Sequence, residues 1–211
     1  MDVMIGTPSA GIVHAAYAMS IVGLCLHYYT TPVFGREKEP RNLHSLMLVG
    51  ASIGENRDKI VDEAIKKDCS HVLFIDDDMG FDPDCLNIAL MRKMPIVLAN
   101  YRRKSPTATF TARNADNTGP VETTKEKDSL EECTFGGFGF CLIERQVLDA
   151  VKKPRFLAYY DETSGVYTTE DKPFYAAAKA AGYTAFVDHR ISKKVTHNGS
   201  YTYKWNDKLA S

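Results

Sequence analysis

The segment His71-Val72-Leu73-Phe74-Ile75-Asp76-Asp77-Asp78 decides the fold of this chain. Its first five residues form an almost wholly apolar run, and the turn-forming sequence Met79-Gly80-Phe81-Asp82-Pro83 follows the aspartates. A short apolar run bounded by turn signals predicts a strand buried on both faces, as in a parallel sheet. Three adjacent carboxylates at its end repel one another, so we expect a cation beside them. Hard carboxylate oxygens suit Mn²⁺ or Mg²⁺.

Around this segment, apolar runs and amphipathic stretches alternate through the first hundred residues. We predict strands over residues 3–5, 46–49, 71–75 and 95–99, and helices over 12–29, 55–67 and 84–91. This alternation predicts an α/β fold with a Rossmann-like, mixed but mostly parallel central sheet flanked by helices. Ligands bind at the carboxyl ends of the strands in such sheets, which is where the three aspartates stand.

After residue 101 the pattern changes. Residues 107–111 alternate like a half-exposed strand, 114–132 are polar and predict a loop or hairpin, and 134–143 are apolar with several glycines. We predict a helix over 171–181 that ends at Gly182, and strands over 183–188 and 190–195.

Composition excludes several classes of protein. The 211 residues carry a net charge of −1, so nothing points to nucleic acid or to an anionic membrane as a partner. The five cysteines are odd in number and widely spaced, which predicts neither a disulfide framework nor a zinc site. Residues 12–29 are apolar but contain His14 and His27, and no basic residue precedes them. We therefore expect a buried helix there and no membrane insertion.

Several polar residues fall near the expected ligand edge. Arg57 shares the inward face of its helix with Ile60 and Val61, so it could pair with a phosphate, with an aspartate, or with both. On an extended backbone Asp76 and Asp78 would point the same way, toward one metal or a metal-bound diphosphate. A solvated turn that caps the next helix is the alternative for these aspartates.

Three further groups of residues complete the candidates. The small residues after the first strand, at positions 6–11, could let a base or ribose approach the backbone. Glu170 and Asp171 open a helix, where they could cap it or supply a general base. His197 could be a further metal ligand, which would suit Mn²⁺, and His189 competes with it for that role.

These elements, in this order, resemble the nucleotide-sugar-dependent glycosyltransferases of the GT-A fold. The matching features are the strand that ends in Thr7-Pro8, the Asn56-Arg57 helix start, the Asp76-Asp77-Asp78 motif, the 136–140 glycine loop, Glu170-Asp171, and His197-Asn198-Gly199. The chain also resembles chlorella-virus glycosyltransferase domains that form the N-terminal module of a longer protein. That resemblance implies other domains of a longer polypeptide as partners and a soluble, cytoplasmic location in the host cell.

The resemblance also implies an architecture and a reaction. It implies one domain over residues 1–211, with residues 1–100 binding the nucleotide sugar, residues 101–211 carrying the acceptor and catalytic half, and a small antiparallel acceptor-side sheet. The enzyme would move a hexose-type sugar from a UDP-sugar donor to a hydroxyl of a glycan acceptor, in glycoprotein glycan synthesis.

The same resemblance gives each matched position a role. Mn²⁺, or Mg²⁺, would be the cofactor, ligated by Asp78 and His197, with Asp76 as a further metal ligand or donor contact. Asp171 would be the catalytic base, with Glu170 beside it. The residues implied to bind the nucleotide sugar are Thr7, Pro8, Ser9, Arg57, Asp76, Asp77, Gly136 and Gly137.

Two other functions remain open at this point. A sugar nucleotidyltransferase shares the sheet and the carboxylates, but it normally carries basic residues in its first loop, and positions 6–11 have none. A module that binds a nucleotide sugar or a glycan without turnover would show the same sequence pattern.

Overall fold

The computed structural model describes residues 1–33, 41–105, 109–162 and 165–207. Its helices are α1 (Ala15–Thr30), α2 (Ile53–Lys66), α3 (Cys85–Met91), α4 (Arg145–Ala150), α5 (Asp171–Ala180) and α6 (His189–Ser192). Its strands are β1 (Asp2–Ser9), β2 (Asn42–Val49), β3 (His71–Ile75), β4 (Met79–Phe81), β5 (Ile96–Leu98), β6 (Arg113–Asn114), β7 (Leu130–Phe135), β8 (Phe140–Glu144), β9 (Tyr160–Asp161), β10 (Val166–Tyr167), β11 (Ala185–Asp188), β12 (Val195–Asn198) and β13 (Thr202–Lys204).

The central sheet has eight strands in the order β2-β1-β3-β8-β5-β11-β7-β6. Strands β2, β1 and β3 are parallel, and so are β5 and β11. Strand β8 runs against both of its neighbours, β3 and β5, and β7 runs against β11 and β6. The predicted fold class is confirmed: a mixed, mostly parallel central sheet is flanked by helices and accompanied by small antiparallel sheets.

Side chains of β3 alternate between two cores, one on each face of the sheet. Val72 and Phe74 pack into the core under α2 and α5, while Leu73 and Ile75 pack into the core under α1 and α3. All four are essentially inaccessible to solvent, so the prediction of a strand buried on both faces is confirmed. Burial of each of these side chains stabilises the folded state by about 1.5–3 kcal/mol. It also holds the end of β3 in place at the sheet edge.

Two small antiparallel sheets complete the fold. One joins β4, β12 and β13, and the other is the β9–β10 hairpin. In the first of these sheets β12 pairs with β4, which begins directly after the aspartates. This pairing brings the late part of the chain to the end of β3.

Three local predictions differ from the structure. Strand β1 extends to Ser9 because it pairs with β2 over its whole length, so the small residues that were expected to form a loop lie partly on the strand. The predicted strand over 190–195 is instead the short helix α6, because the Asp188 side chain accepts hydrogen bonds from Arg190 N and Ile191 N at its start. Of the predicted strand over 107–111, residues 107 and 108 lie outside the described residues, and Phe110 forms a single bridge with Arg102.

Helix α1 is less buried than predicted. Tyr17, Leu24 and Tyr28 are buried, but Met19 and Leu26 on the opposite side remain 71% and 64% exposed. In the part of the chain that the structure describes, no helix has both the length and the apolar character needed to cross a bilayer.

Candidate active site

The three aspartates form a turn rather than a continuation of the strand. Strand β3 ends at Ile75, and Met79 N donates a hydrogen bond of 3.1 Å to the Asp76 carbonyl oxygen. The chain has to turn here because β4 begins at Met79 and pairs with β12. The prediction of an extended backbone through the motif is therefore wrong, and each carboxylate takes a different partner.

Arg57 joins the aspartate turn to the start of α5. Its Nη2 donates to Asp76 Oδ1 at 2.9 Å, and its Nη1 donates to Glu170 Oε1. The guanidinium lies over the Phe138 ring, 4.9 Å from the centroid. Only 2% of Arg57 is exposed, so the two carboxylates compensate a buried charge. Pairing with an aspartate, which the sequence allowed, is what the structure shows.

The position of Arg57 follows from the way α2 begins. Ser52 caps the helix by accepting a hydrogen bond of 3.3 Å from Glu55 N. Ile60 and Val61 then bury the inward face of α2 against the sheet. Arg57 lies one turn earlier on this face, so its side chain reaches the carboxyl end of β3.

Asp78 lies between a lysine and a histidine. Lys104 Nζ donates to Asp78 Oδ2, and His197 Nε2 is 3.6 Å from the same oxygen. Burial raises the pKa of Asp78, but His197 and Lys104 outweigh it and hold that pKa below its usual value. Asn198 fixes the turn, since its backbone N and its Nδ2 each lie 2.9 Å from the Asp78 carbonyl oxygen.

The geometry of Asp78 and His197 fits a divalent cation. His197 Nδ1 lies 2.8 Å from the Arg102 carbonyl oxygen, which can only accept, so Nδ1 carries a proton and Nε2 is the ring nitrogen that faces Asp78. Asp78 Oδ1 is buried without a hydrogen-bond partner. In the neutral form of His197, Nε2 and the Asp78 carboxylate would together attract a cation, and both are ligands that Mn²⁺ accepts.

The described side chains would supply only part of the ligands of such a cation. Among the described residues, no group of three or more His, Cys, Asp or Glu is arranged to hold a metal ion. Asp76 is engaged by the buried Arg57, whereas Asp78 is engaged by the partly exposed Lys104, so Asp78 and His197 are the pair that a cation could reach. His189 is buried elsewhere and contacts Thr123 and Glu131, so it is not placed beside Asp78.

The end of β1 lies against the aspartates. Ser9 Oγ donates to Asp77 Oδ2 at 2.5 Å, and Pro8 and Ser9 line a cavity of about 230 Å³ together with the three aspartates. Thr7 differs from them, because its hydroxyl is 2.6 Å from that of Tyr17 on α1. Parallel pairing of β1 with β3 is what brings Pro8 and Ser9 to this edge.

Asp171 is a carboxyl group of raised pKa at the same edge. Burial raises its pKa to about 7; Arg57 opposes this rise, and Glu170 and Asp76 add to it. Glu170 occupies the N-cap position of α5 but makes no side-chain cap hydrogen bond, because its carboxylate is turned toward Arg57. The capping alternative is therefore wrong for Glu170.

The glycine loop is buried and closely packed. A Cβ atom on Gly136 would lie 2.3 Å from Leu98 Cδ1, and one on Gly137 would lie 2.2 Å from the Tyr101 hydroxyl oxygen. That hydroxyl also accepts a hydrogen bond of 2.9 Å from Gly139 N. Close packing thus explains why glycine occupies these positions. Contact of these glycines with a donor sugar remains a prediction.

Sequence reasoning missed Lys104 and Tyr101, and it named Asn198 only as part of the His197-Asn198-Gly199 motif, without a role. A signal for Lys104 was present, because Arg102-Arg103-Lys104 follows a buried strand and so reaches the same sheet edge as the aspartates. Asn198 becomes recognisable only once β12 is known to pair with β4.

One comparison with a solved structure bears on the fold. No protein-family model and no curated protein matches the chain. The crystal structure of A197 from STIV superposes with a TM-score of 0.65 at 17% sequence identity, covering 100% of this chain and 97% of that one. The chain therefore shares the fold of that protein.

Two more distant structures superpose too poorly to support a conclusion. A nucleoside-diphosphate-sugar pyrophosphorylase from Vibrio cholerae RC9 gives a TM-score of 0.47 at 12% identity, covering 89% of this chain and 91% of that one. A fragment of S. aureus TarS in complex with UDP gives 0.42 at 13% identity, covering 89% of this chain and 57% of that one.

Proposed function

We propose that the chain is a metal-dependent glycosyltransferase that moves a hexose-type sugar from a UDP-sugar to a hydroxyl of a glycan acceptor, in glycoprotein glycan synthesis. One observation carries the proposal: the buried Arg57 ties the strand-end Asp76 to Glu170, the neighbour of Asp171. The proposal is supported by the position of Asp171, a carboxyl group of raised pKa, beside the end of β3, where Asp78 faces His197. The relation to chlorella-virus domains, the further domains and the cytoplasmic location remain predictions.

The difficult part of such a transfer is the negative charge that builds up on the leaving diphosphate. Asp78 and His197 would hold Mn²⁺ or Mg²⁺, which supplies Lewis-acid neutralisation of that charge when bound. Lys104 adds a positive charge from the chain itself, and it is about one-third exposed beside Asp78. Charges that are already in position lower the activation barrier of the transfer, because the site does not have to rearrange during the reaction.

Asp171 has the properties of the general base. A base works best when its pKa lies near the operating pH, and burial brings the pKa of Asp171 to about 7. It would accept the proton of the acceptor hydroxyl as that oxygen attacks the sugar carbon. A base in this role favours inversion at that carbon.

A donor screen with UDP-, GDP- and TDP-sugars tests the proposal. With Mn²⁺ present, we expect UDP to be released with time from a UDP-sugar, and release to stop when the metal is chelated. A module that only binds would give a saturable thermal stabilisation without UDP release. A nucleotidyltransferase would instead form pyrophosphate from a nucleoside triphosphate and a sugar phosphate. Either result would contradict the proposal.

A further inference from the structure

Tyr101 contacts two parts of the candidate active site with one side chain. Its ring meets the imidazole of His197 edge to face, with 5.1 Å between the ring centroids and 71° between the ring planes. Its hydroxyl oxygen accepts a hydrogen bond of 2.9 Å from Gly139 N in the glycine loop. Only 6% of Tyr101 is exposed. The ring therefore touches one member of the cation pair, as Asp78 and His197 are called below, and the hydroxyl touches the loop before β8.

The hydrogen bonding of Gly139 continues to the aspartate turn. Its carbonyl oxygen accepts a hydrogen bond of 3.2 Å from Asp76 N, directly after the end of β3. Gly139 thus holds the Tyr101 hydroxyl with its N–H and the start of the turn with its carbonyl group. Asp78 belongs to the same turn and faces His197. Tyr101 is therefore linked to both members of the cation pair, to His197 by its ring and to the turn of Asp78 through Gly139.

The glycine loop leaves room for the Tyr101 hydroxyl. A Cβ atom on Gly137 would lie 2.2 Å from this oxygen, and one on Gly139 would lie 2.6 Å from it. Both distances are too short for a carbon and an oxygen that are not bonded, so a larger residue at either position would displace the hydroxyl or the loop. The small residues of the loop and the position of Tyr101 thus depend on each other.

The backbone at Tyr101 is held on both sides. The preceding Asn100 is fully buried; its N donates to Ser192 Oγ at 2.8 Å, and its Nδ2 donates to the Val121 carbonyl oxygen at 2.7 Å. The carbonyl oxygen of Tyr101 accepts a hydrogen bond of 3.0 Å from Thr111 N. A side chain that orients another group has to be fixed itself, and these hydrogen bonds fix the origin of the Tyr101 side chain.

We propose that Tyr101 is a positioning residue for the cation pair, whose ring orients His197 and whose hydroxyl holds the glycine loop and, through it, the aspartate turn. The inference rests on the proposed function, because it takes Asp78 and His197 as the cation ligands. The hydrogen bond from His197 Nδ1 to the Arg102 carbonyl oxygen holds one edge of the imidazole. An edge-to-face contact favours one arrangement of the two rings, so the Tyr101 ring adds to that bond in keeping Nε2 toward Asp78.

Mn²⁺ titrations followed by electron paramagnetic resonance test the role of the ring. Tyr101→Leu removes the ring, and we expect it to weaken Mn²⁺ binding by about two- to tenfold, the range for the loss of one aromatic pair. Tyr101→Phe keeps the ring and should lose less. Tyr28→Leu is the matched control, since Tyr28 is a fully buried tyrosine whose hydroxyl lies near the Met1 carbonyl oxygen, at the other end of β1 from the site. It should lower stability and leave Mn²⁺ affinity unchanged.

Amide hydrogen exchange in the metal-free protein tests the role of the hydroxyl. In Tyr101→Phe the buried Gly139 N–H loses its acceptor, so we expect it to exchange about tenfold faster than in the wild type. Tyr28→Phe removes a hydroxyl away from the loop and should leave the exchange of Gly139 unchanged. This measurement also decides the question if Tyr101→Leu does not fold, because Tyr101→Phe changes a single oxygen atom.

The inference and the proposed function fail on different results. A wild type that binds no Mn²⁺ would contradict the proposed function and, with it, the cation site that Tyr101 is inferred to position. If the wild type binds Mn²⁺ and a folded Tyr101→Leu binds it equally well, or Tyr28→Leu weakens binding as much, the inference alone is overturned. Unchanged exchange of Gly139 in Tyr101→Phe would likewise overturn it.

Discussion

Lys104 stands where a cation is expected, because its ammonium group pairs with the Asp78 carboxylate. A divalent ion that binds Asp78 has to displace this pair. We predict that Lys104→Ala tightens the binding of Mn²⁺ to the nucleotide-free protein. Partly exposed ion pairs contribute about 0.2–1 kcal/mol, so the gain should not exceed roughly fivefold. Titration followed by Mn²⁺ electron paramagnetic resonance measures it directly.

Lys193→Ala is the control for this variant, since Lys193 pairs with Asp128 away from the site. It should leave Mn²⁺ affinity unchanged. If Lys104→Ala bound Mn²⁺ more weakly than the wild type, Lys104 would not be a competitor for the site.

Asp171 should control both the rate and its pH dependence. We predict that Asp171→Asn lowers the transfer rate by about 10²–10⁴, the usual contribution of a positioned base, with little change in UDP affinity. In the wild type the rate should fall as pH drops below about 7, because the protonated carboxyl group cannot accept a proton. The residual activity of the variant should lack this dependence. A variant that kept the wild-type pH profile would show that another group titrates.

At the scale of secondary structure, Arg57 on α2 forms ion pairs with the end of β3 and with the start of α5. We predict that Arg57→Met destabilises the protein by about 3–5 kcal/mol, because Asp76 and Glu170 lose their buried counter-ion. Urea denaturation measures this loss. Lys59→Met is the control, since Lys59 is on the same helix and forms an exposed pair with Glu55. Equal effects of the two substitutions would mean that Arg57 has no special structural role.

Elements with a strong local signal could be predicted from the sequence. The apolar run and the aspartates predict strand β3, and the alanine-rich sequence before Gly182, whose φ is +91°, predicts helix α5. Strands β4 and β12 were missed because they are only three and four residues long and exist through their pairing with each other. That pairing also sets the distance between His197 and Asp78, so the partner of each aspartate could not be read from spacing alone.

For the molecule as a whole, the buried carboxyl group of Asp171 should make stability depend on pH. Its pKa of about 7 in the folded protein exceeds the value near 3.9 of an unfolded chain. Its contribution to stability is therefore fully present below pH about 4 and is lost as pH rises through about 7. We predict that Asp171→Asn raises the free energy of unfolding relative to the wild type, by more at pH 8 than at pH 5, and by on the order of a few kcal/mol.

Chemical denaturation at the two pH values measures that difference. Glu170→Gln is the control, because it weakens an ion pair of Arg57 and should lower stability. If Asp171→Asn raised the free energy of unfolding equally at both pH values, the pKa of Asp171 would not differ between the folded and the unfolded protein.

In our proposal Asp78, at the end of β3, and His197 bind a divalent cation that is shared with the diphosphate of UDP. Isothermal titration of UDP into the wild type and into Asp78→Ala, with and without Mn²⁺, tests it most directly. We predict that Mn²⁺ strengthens UDP binding to the wild type by roughly tenfold, a usual coupling between two ligands, and that it has no effect on Asp78→Ala. Equal UDP affinity of the wild type with and without Mn²⁺, or full metal dependence in Asp78→Ala, would contradict the claim.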